Sequence, residues 1–150
     1  VLLEAFAHWG ISFVNKLNGM FALAIYDKQK HELLVARDRM GIKPLYFYKD
    51  NNNFIFASEL KAFKTLKHKI DFSLNYTAIN EFFHLGYIPQ PHSIYQSINK
   101  FPTASYLTLS QYKYEFTNYW NLSDKIKSDC ITSFPEAKAT LKELVESSVK

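Results

Sequence analysis

The residues best able to do chemistry lie in one short stretch, residues 37–45, with the sequence RDRMGIKPL. Arg37 and Asp38 are flanked by apolar sequence, so we expect both charges to be at least partly buried. A buried charge must be paired, and we predict that these two side chains form an internal ion pair. The alternative is that they make a contact at a domain interface.

Glycine and proline make the same stretch a predicted corner between strands. Gly41 can adopt a positive φ without steric cost, and Pro44 has no N–H to donate to a β-ladder. Apolar runs precede and follow the corner, at residues 20–36 and 45–57. We therefore predict a tight turn that joins two pairs of strands, with the charges packed inside it and Lys43 facing solvent.

Residues for nucleophilic, metal or phosphate chemistry do not cluster in the sequence. Cys130 is the only cysteine, and the histidine nearest to it in sequence is His92, whereas a thiolate nucleophile needs a base or a positive field beside it. The histidines lack the spacing of a metal site, and the glycines are too far apart for a phosphate loop. We predict a structural role for Cys130, and no catalytic, cofactor-binding or metal-binding residue in this chain.

Composition excludes several classes of function. Of the 150 residues 47% are hydrophobic and 17% aromatic, which is enough for a sizeable core rich in sheet. The formal charge of +4 comes from scattered lysines, not from the clustered basic face of a nucleic-acid-binding protein. No apolar run approaches the roughly 20 residues of a membrane span, and the start of the sequence lacks a signal-peptide pattern. We expect a cytoplasmic protein that contacts neither nucleic acid nor membrane.

Four predicted strands surround the corner. Residues 20–26 and 31–36 form one hairpin, and residues 45–49 and 54–57 form another. Their short connections favour antiparallel pairing. The continuous apolar run of the first strand predicts that it is covered on both faces.

Helical patterns flank these strands. Residues 1–9 are predicted to be helical, and a second short helix follows with Ser12 as its cap. Residues 59–66 form a predicted helix capped by Ser58, and residues 76–85 form another. The apolar side of the helix at 76–85 consists of Ile79, Phe82 and Phe83.

The later part of the chain contains a proline-rich segment followed by a predicted β-hairpin. Residues 88–93 contain Pro89 and Pro91 and are the best candidate for a linker. Residues 105–109 and 112–116 alternate with a period of two, which predicts a small hairpin.

The last predicted helix begins at a capping box, with Ser133 and Glu136 at the required spacing and Pro135 early in the helix. No glycine or proline stops it before Lys150, and Val1 lies inside another helical pattern. We therefore expect the sequence to be a fragment of a longer protein. The apolar stripe of this helix consists of Ala137, Leu141, Leu144, Val145 and Val149.

Three blocks of sequence carry a family resemblance. They are residues 19–27 (GMFALAIYD), 37–46 (RDRMGIKPLY) and 57–62 (ASELKA). In order and approximate spacing they resemble the glutamine-hydrolysing asparagine synthetases. Residues 86–89 (GYIP) and 100–102 (KFP) resemble the segment that joins the two domains of that family.

The resemblance implies an α+β fold. The chain would be part of an amino-terminal-nucleophile hydrolase αββα sandwich with antiparallel sheets. Residues 1–70 would belong to the C-terminal part of the glutaminase domain, and residues 71–132 would complete that domain and the connector. Residues 133–150 would be the first helix of an α-helical, ATP-dependent synthetase domain.

The resemblance also implies a function for the full-length parent. That enzyme would be a ligase of asparagine biosynthesis that uses ATP and Mg²⁺, and its substrates would be glutamine, aspartate and ATP. Ammonia released from glutamine would amidate aspartate. The resemblance leaves open whether the enzyme is a homodimer. The family's nucleophilic cysteine and its ATP loop match positions before Val1 and after Lys150, which implies that the fragment alone is inactive.

Within this chain the resemblance assigns only supporting roles. Met20 matches a methionine associated with the family's internal ammonia route, although plain core packing is the alternative. Arg37, Asp38, Gly41 and Pro44 match the family's corner and are expected to be architectural.

A further motif is implied to face the domain junction. It is matched here by Ser58, Glu59 and Lys61. A helix cap and surface charges are the alternative roles of these residues.

Two other functions stay open at this point. The parent could be a related amidotransferase that amidates a different acceptor, such as a surface sugar or a β-lactam precursor. It could also be a non-catalytic scaffold protein.

Overall fold

Two antiparallel sheets form the body of the chain in the computed structural model, which describes residues 1–111, 114–126, 131 and 133–149. The α-helices are α1 (Leu2–Trp9), α2 (Leu60–Phe63), α3 (Tyr76–Leu85) and α4 (Phe134–Val149). The strands are β1 (Ala22–Asp27), β2 (Glu32–Arg37), β3 (Tyr46–Lys49), β4 (Phe54–Ala57), β5 (Ile98–Lys100), β6 (Ser105–Leu109) and β7 (Tyr114–Asn118). Short 3₁₀ helices lie at Gly10–Lys16, Lys64–Leu66 and Ser123–Lys125.

The two predicted hairpins are confirmed, and each belongs to a different sheet. The first sheet has the strand order β1-β2-β6-β7, and the second has the order β4-β3-β5. Every pairing is antiparallel. The predicted corner therefore carries the chain from β2 of one sheet to β3 of the other.

Three apolar clusters show how the layers stack. Neighbouring side chains of a strand point to opposite faces, so Leu34 and Val35 of β2 enter different clusters. Leu34 packs in the cluster that holds Phe13 of the first 3₁₀ helix, and Val35 packs in the cluster shared with Phe101 and the second sheet. Phe63 of α2 belongs to a third cluster on the far side of the second sheet. The order across the body is helix, sheet, sheet, helix.

One face of β1 is more exposed to solvent than the sequence predicted. Its apolar run predicted a strand covered on both faces, but β1 is the edge strand of the first sheet. Ile25 is buried in the first cluster, whereas Tyr26 on the opposite face is 54% exposed. Coverage of that face changes along the strand: Ala22 packs against the second cluster, whereas Tyr26 lies near the end of β1 with its hydroxyl 3.2 Å from His31 Nδ1.

Two predicted helix caps are wrong. Ser12 lies inside a 3₁₀ helix, where its Oγ donates to the backbone oxygen of Trp9 at 2.7 Å. Ser58 precedes Glu59, which is the residue at the cap position of α2 and makes no side-chain capping bond. In both places a serine stands near the start of a helix, but its hydroxyl is used elsewhere or is exposed.

The segment predicted as a linker is packed into the body. The N–H of Lys100 donates to the backbone oxygen of Pro91 at 2.8 Å, and Ser93 is 1% exposed. β5, which the sequence did not predict, follows this segment and pairs with β3.

The C-terminal elements follow their predictions more closely. β6 and β7 form the predicted hairpin; β7 ends two residues later than expected, and residues 112–113 lie outside the described part. The predicted last helix is confirmed as α4, and none of its residues is buried. Cys130 also lies outside the described residues.

Candidate functional site

Arg37 occupies the centre of the corner and is 7% exposed. Its guanidinium donates to three backbone oxygens: Nε to Lys43 at 2.8 Å, Nη1 to Phe101 at 2.6 Å and Nη2 to Gly41 at 2.8 Å. Burial lowers the pKa of Arg37, and the nearby charge of Asp38 opposes that shift. The side chain thus ties the loop after β2 to the segment that follows β5.

Asp38 is 2% exposed and gathers the opposite set of backbone groups. Its Oδ1 accepts from the N–H of Met40 at 3.2 Å and of Ile42 at 2.9 Å. Its Oδ2 accepts from the N–H of Lys43 at 3.0 Å and of Phe21 at 3.3 Å. Burial raises the pKa of Asp38, but these four donors outweigh that effect and leave the pKa below its ordinary value.

The predicted ion pair between these residues is wrong in its detail. Both charges are buried, as expected, but the structure shows no direct contact between the Arg37 guanidinium and the Asp38 carboxylate. Each is instead satisfied by the backbone of the loop that wraps around it. A loop with many N–H and C=O groups can pair a buried charge as well as a second charge can.

Gly41 is required by close packing as well as by its backbone. Its φ is +66°, and a Cβ at this position would lie 2.3 Å from Cγ2 of Thr103 and 3.2 Å from Cζ of Arg37. No side chain fits there without movement. Pro44 follows on the exposed surface, where its missing N–H leaves no gap in a ladder.

The hairpin of β6 and β7 braces the corner from the other side. The Tyr119 hydroxyl donates to the backbone oxygen of Arg37 at 2.8 Å, and the N–H of Ala104 donates to the backbone oxygen of Asp38 at 2.9 Å. Burial raises the pKa of Tyr119 to about 12, so its hydroxyl keeps its proton. Sequence reasoning missed Tyr119, Ala104 and Thr103, because nothing local marks a contact across 60 or more residues.

A groove beside the corner brings together three of the other predicted residues. Met20, Pro44 and Ser58 line it, and its volume is about 450 Å³. Met20 is 61% exposed, so it is not a core residue within the described structure.

Glu59 and Lys61 form a separate surface pair. Lys61 Nζ lies 2.6 Å from Glu59 Oε2, and both side chains are largely exposed. An exposed pair of this kind adds little stability, because solvent screens the two charges. These two residues do not line the groove of Met20.

A metal ion would need a cluster of ligating side chains, and a phosphate group would need a glycine-rich loop. No three histidine, cysteine, aspartate or glutamate residues of that part lie close enough together to hold a metal ion. The glycines at positions 10, 19, 41 and 86 occupy four separate turns and form no phosphate-binding loop. None of the described helices combines the length and apolarity that crossing a bilayer requires.

Comparison with known proteins finds a matching family model and similar proteins. Residues 1–120 match the family model of the glutamine amidotransferase domain. The chain is 39% identical over 128 residues to a putative glutamine-hydrolysing asparagine synthetase 2 of Methanocaldococcus jannaschii, a match that covers 83% of this chain and 25% of that protein. It is 34% identical over 151 aligned positions to glutamine-hydrolysing asparagine synthetase 3 of Bacillus subtilis, covering 99% of this chain and 24% of that protein.

A shorter match carries a different name. The chain is 38% identical over 63 residues to amidase chry2 of Gibberella zeae, which covers 42% of this chain and 9% of that protein. The names of the two longer matches confirm the resemblance that the sequence motifs predicted. The chain spans about a quarter of the length of these two relatives.

Proposed function

Because this chain belongs to the glutamine amidotransferase domain family, we propose that it is part of a glutamine-hydrolysing asparagine synthetase. The observation that carries the proposal is the 39% identity over 128 residues to a relative of that name. The complete enzyme would release ammonia from glutamine and transfer it to aspartate activated by ATP. ATP and Mg²⁺ would be held by parts of the enzyme other than the residues described here.

The corner would have a structural role in the glutaminase domain and no catalytic one. Arg37 and Asp38 tie the loop between the two sheets to the β6–β7 hairpin, which fixes the spacing of the sheets. We assign the helix–sheet–sheet–helix layers to an amino-terminal-nucleophile hydrolase sandwich. Residues 1–70 and 71–132 would form parts of the glutaminase domain and the connector, and residues 133–150 would begin the synthetase domain.

The groove of Met20 would lie on the ammonia route between the two reactions. Its support is the exposure of Met20 together with Pro44 and Ser58 on one open groove. Glu59 and Lys61, which follow Ser58, would face the same domain junction.

We further propose that the 150 residues alone catalyse neither half-reaction. Cys130, the only cysteine, has no histidine near it in sequence, and a thiolate nucleophile needs such a base or a positive field. Purified chain and the product of the complete gene would each be given glutamine, and release of glutamate would be measured. We expect release only by the gene product, and turnover by the chain alone would contradict this.

The acceptor is proposed to be aspartate. The names of the longer matches favour an asparagine synthetase over enzymes that amidate sugars or β-lactam precursors, and over a scaffold protein. Supplying the gene product with each acceptor in turn, together with glutamine and ATP, would separate these possibilities.

A further inference from the structure

Asn18 and Gly19 form an Asn-Gly pair on an exposed loop. The loop lies between the first 3₁₀ helix, which ends at Lys16, and β1, which begins at Ala22. No other asparagine in the sequence is followed by glycine. Asparagine loses its side-chain amide most readily before glycine, because glycine has no Cβ to shield its own backbone nitrogen. The pair therefore combines the reactive residue types with access to water.

The two groups that would react are both free of hydrogen bonds. Within the described residues, neither the side-chain amide of Asn18 nor the N–H of Gly19 has a hydrogen-bond partner. A Cβ built on Gly19 would meet no atom within 4 Å, so the space beside its nitrogen is open. The nitrogen of Gly19 can therefore approach the amide carbon of Asn18 without first breaking a contact.

Other asparagines at turns and helix caps are held in place. The N–H of Asn52, which would have to attack Asn51, donates to Asp50 Oδ1 at 2.7 Å. Asn53 Nδ2 donates to the same oxygen at 3.0 Å. The side-chain oxygen of Asn75 accepts an N–H at the start of α3 at 3.1 Å. A bonded N–H gives up its proton less readily, and a bonded amide cannot turn toward it.

The corner clamps the chain on both sides of the Asn-Gly pair. Upstream, Arg39 Nη1 donates to the backbone oxygen of Leu17 at 2.9 Å. Downstream, the N–H of Asp38 donates to the backbone oxygen of Phe21 at 2.9 Å, and Asp38 Oδ2 accepts from the N–H of Phe21 at 3.3 Å. Residues 18–20 are all that connects the two clamps, so a longer backbone there would displace Phe21 from Asp38.

We propose that Asn18 deamidates spontaneously in the folded protein and that one of the products loosens the corner. The Gly19 nitrogen loses its proton and bonds to Cγ of Asn18. The bond from Cγ to the side-chain nitrogen then breaks, and that nitrogen leaves as ammonia together with the proton. The backbone is left as a cyclic succinimide.

Water opens the succinimide in two ways, and the two products differ in backbone length. Addition at Cγ gives aspartate. Addition at the backbone carbonyl of residue 18 gives isoaspartate, in which the chain runs through Cβ and Cγ and is one atom longer. Isoaspartate should disturb the clamps, whereas aspartate only adds a charge on an exposed loop. This chemistry needs water and the two residues alone, so it does not depend on the proposed function.

Ageing at constant neutral pH tests the reactivity. The 150-residue chain and the product of the complete gene would be incubated, and trypsin would release residues 17–28, in which Asn18 is the only asparagine. Mass spectrometry measures the exchange of NH₂ for OH, and an isoaspartyl methyltransferase with a labelled methyl donor counts isoaspartate. We expect Asn18 to react at least tenfold faster than Asn51 in both proteins. Its rate should lie within threefold of that in the urea-unfolded chain, and Asn18→Gln should abolish the reaction in this peptide.

Hydrogen exchange of residues 39–43 tests the effect on the corner. The N–H groups of Met40, Ile42 and Lys43 bond to Asp38 and report on it directly. We expect these groups to exchange at least threefold faster in aged protein that contains isoaspartate. Asn18→Asp is the matched control, because it has the new charge with the original backbone length, and it should exchange like fresh protein. Methyltransferase treatment returns isoaspartate to the succinimide and should restore slow exchange.

Several results would overturn the proposal. A rate for Asn18 no higher than that for Asn51 would show that the loop is not a reactive site. Protection of more than tenfold in either folded protein, relative to the unfolded chain, would show that the fold blocks the attack. Equal exchange of residues 39–43 in aged and fresh protein would remove the effect on the corner. Equally fast exchange in aged protein and in Asn18→Asp would assign the effect to charge and contradict the role of backbone length.

Discussion

The corner at residues 37–45 and the exposed side of α3 invert the usual distribution of polar and apolar groups. In the corner, Arg37 and Asp38 are buried although they are charged. On α3, Phe83 and Tyr76 are exposed although they are aromatic. The corner is stable because backbone groups from several segments pair both charges, whereas no described residue covers the aromatic side chains.

Burial alone therefore does not identify a functional surface. The corner completes its own interactions within the chain, so substitutions there should act mainly on stability. Tyr76 and Phe83 on α3 have few interactions to lose within the chain, so substitutions there should change stability little. Unfolding measurements on variants of the isolated chain test this contrast.

The largest effect is expected for Asp38→Ala. The change leaves the N–H groups of Phe21, Met40, Ile42 and Lys43 without their acceptor in a buried place. We expect the free energy of unfolding, measured by urea denaturation, to fall by about 3–5 kcal/mol.

The matched control is Asp27→Ala. Asp27 also accepts from backbone N–H groups, those of Gln29 and Lys30, but at an exposed turn. Water can replace it there, and we expect a much smaller loss than for Asp38→Ala. Equal losses for the two variants would show that the corner is not a special structure.

A smaller effect is expected for Gly41→Ala. The new Cβ would meet Cγ2 of Thr103 in a backbone conformation that alanine already disfavours. We expect a loss of about 2–3 kcal/mol in urea unfolding. Gly86→Ala has a similar positive φ with open space around it and should lose only about 1–2 kcal/mol.

A double variant sharpens the same test. Thr103→Ser removes the methyl group that a Cβ on residue 41 would strike. Combined with Gly41→Ala it should recover part of the lost stability. No recovery would mean that backbone strain, and not the contact with Thr103, sets the cost.

The contribution that the Asp38 carboxylate makes to stability should also depend on pH, and its loss in acid should be smaller than the effects above. Burial raises the pKa of Asp38 but its four N–H partners lower it more, so the folded-state pKa lies below the unfolded value near 3.9. The stabilisation is therefore complete above about pH 4 and is lost as the pH falls through the folded-state pKa.

Asp38→Asn makes this contribution measurable. The difference in unfolding free energy between the original chain and the variant should stay constant from about pH 5 to about pH 7 and narrow below about pH 4. Asp50, whose pKa its hydrogen bonds lower to about 2, is present in both proteins and cancels. A difference that widens in acid would contradict the account.

The smallest effect on stability is expected for Phe83→Ala. The side chain is 81% exposed, and the better helix propensity of alanine offsets the loss of its contact with Phe82. The unfolding free energy should change by less than about 0.5 kcal/mol, whereas Phe63→Ala in the core should cost about 3–5 kcal/mol. A large loss from Phe83→Ala would show that Phe83 already has a stabilising partner within the chain.

Local sequence patterns predicted which segments form helices and strands better than they predicted which side chains are buried. The bounds of α3 and β4 follow directly from turn residues and apolar spacing. Spacing also identified the apolar side of α3, with Phe82 and Phe83, but periodicity cannot tell whether anything packs on that side. The same limit explains Tyr26, which belongs to an apolar run and yet lies exposed on an edge strand.

The corner shows a second limit of sequence reasoning. The burial of Arg37 and Asp38 could be predicted from their apolar neighbours. Their partners could not, because the backbone of Phe101 and the hydroxyl of Tyr119 reach the corner only after distant strands have paired. β5 was missed for a related reason, since its pairing with β3 joins segments about 50 residues apart.

The most direct test of the central claim is the transfer of labelled nitrogen by the product of the complete gene. Glutamine labelled with ¹⁵N in its amide would be supplied with aspartate and ATP, and the products would be examined by mass spectrometry. We expect asparagine that carries ¹⁵N in its side-chain amide, formed only when both aspartate and ATP are present. Label found only as free ammonium, or in a sugar or β-lactam acceptor supplied in competition, would contradict it.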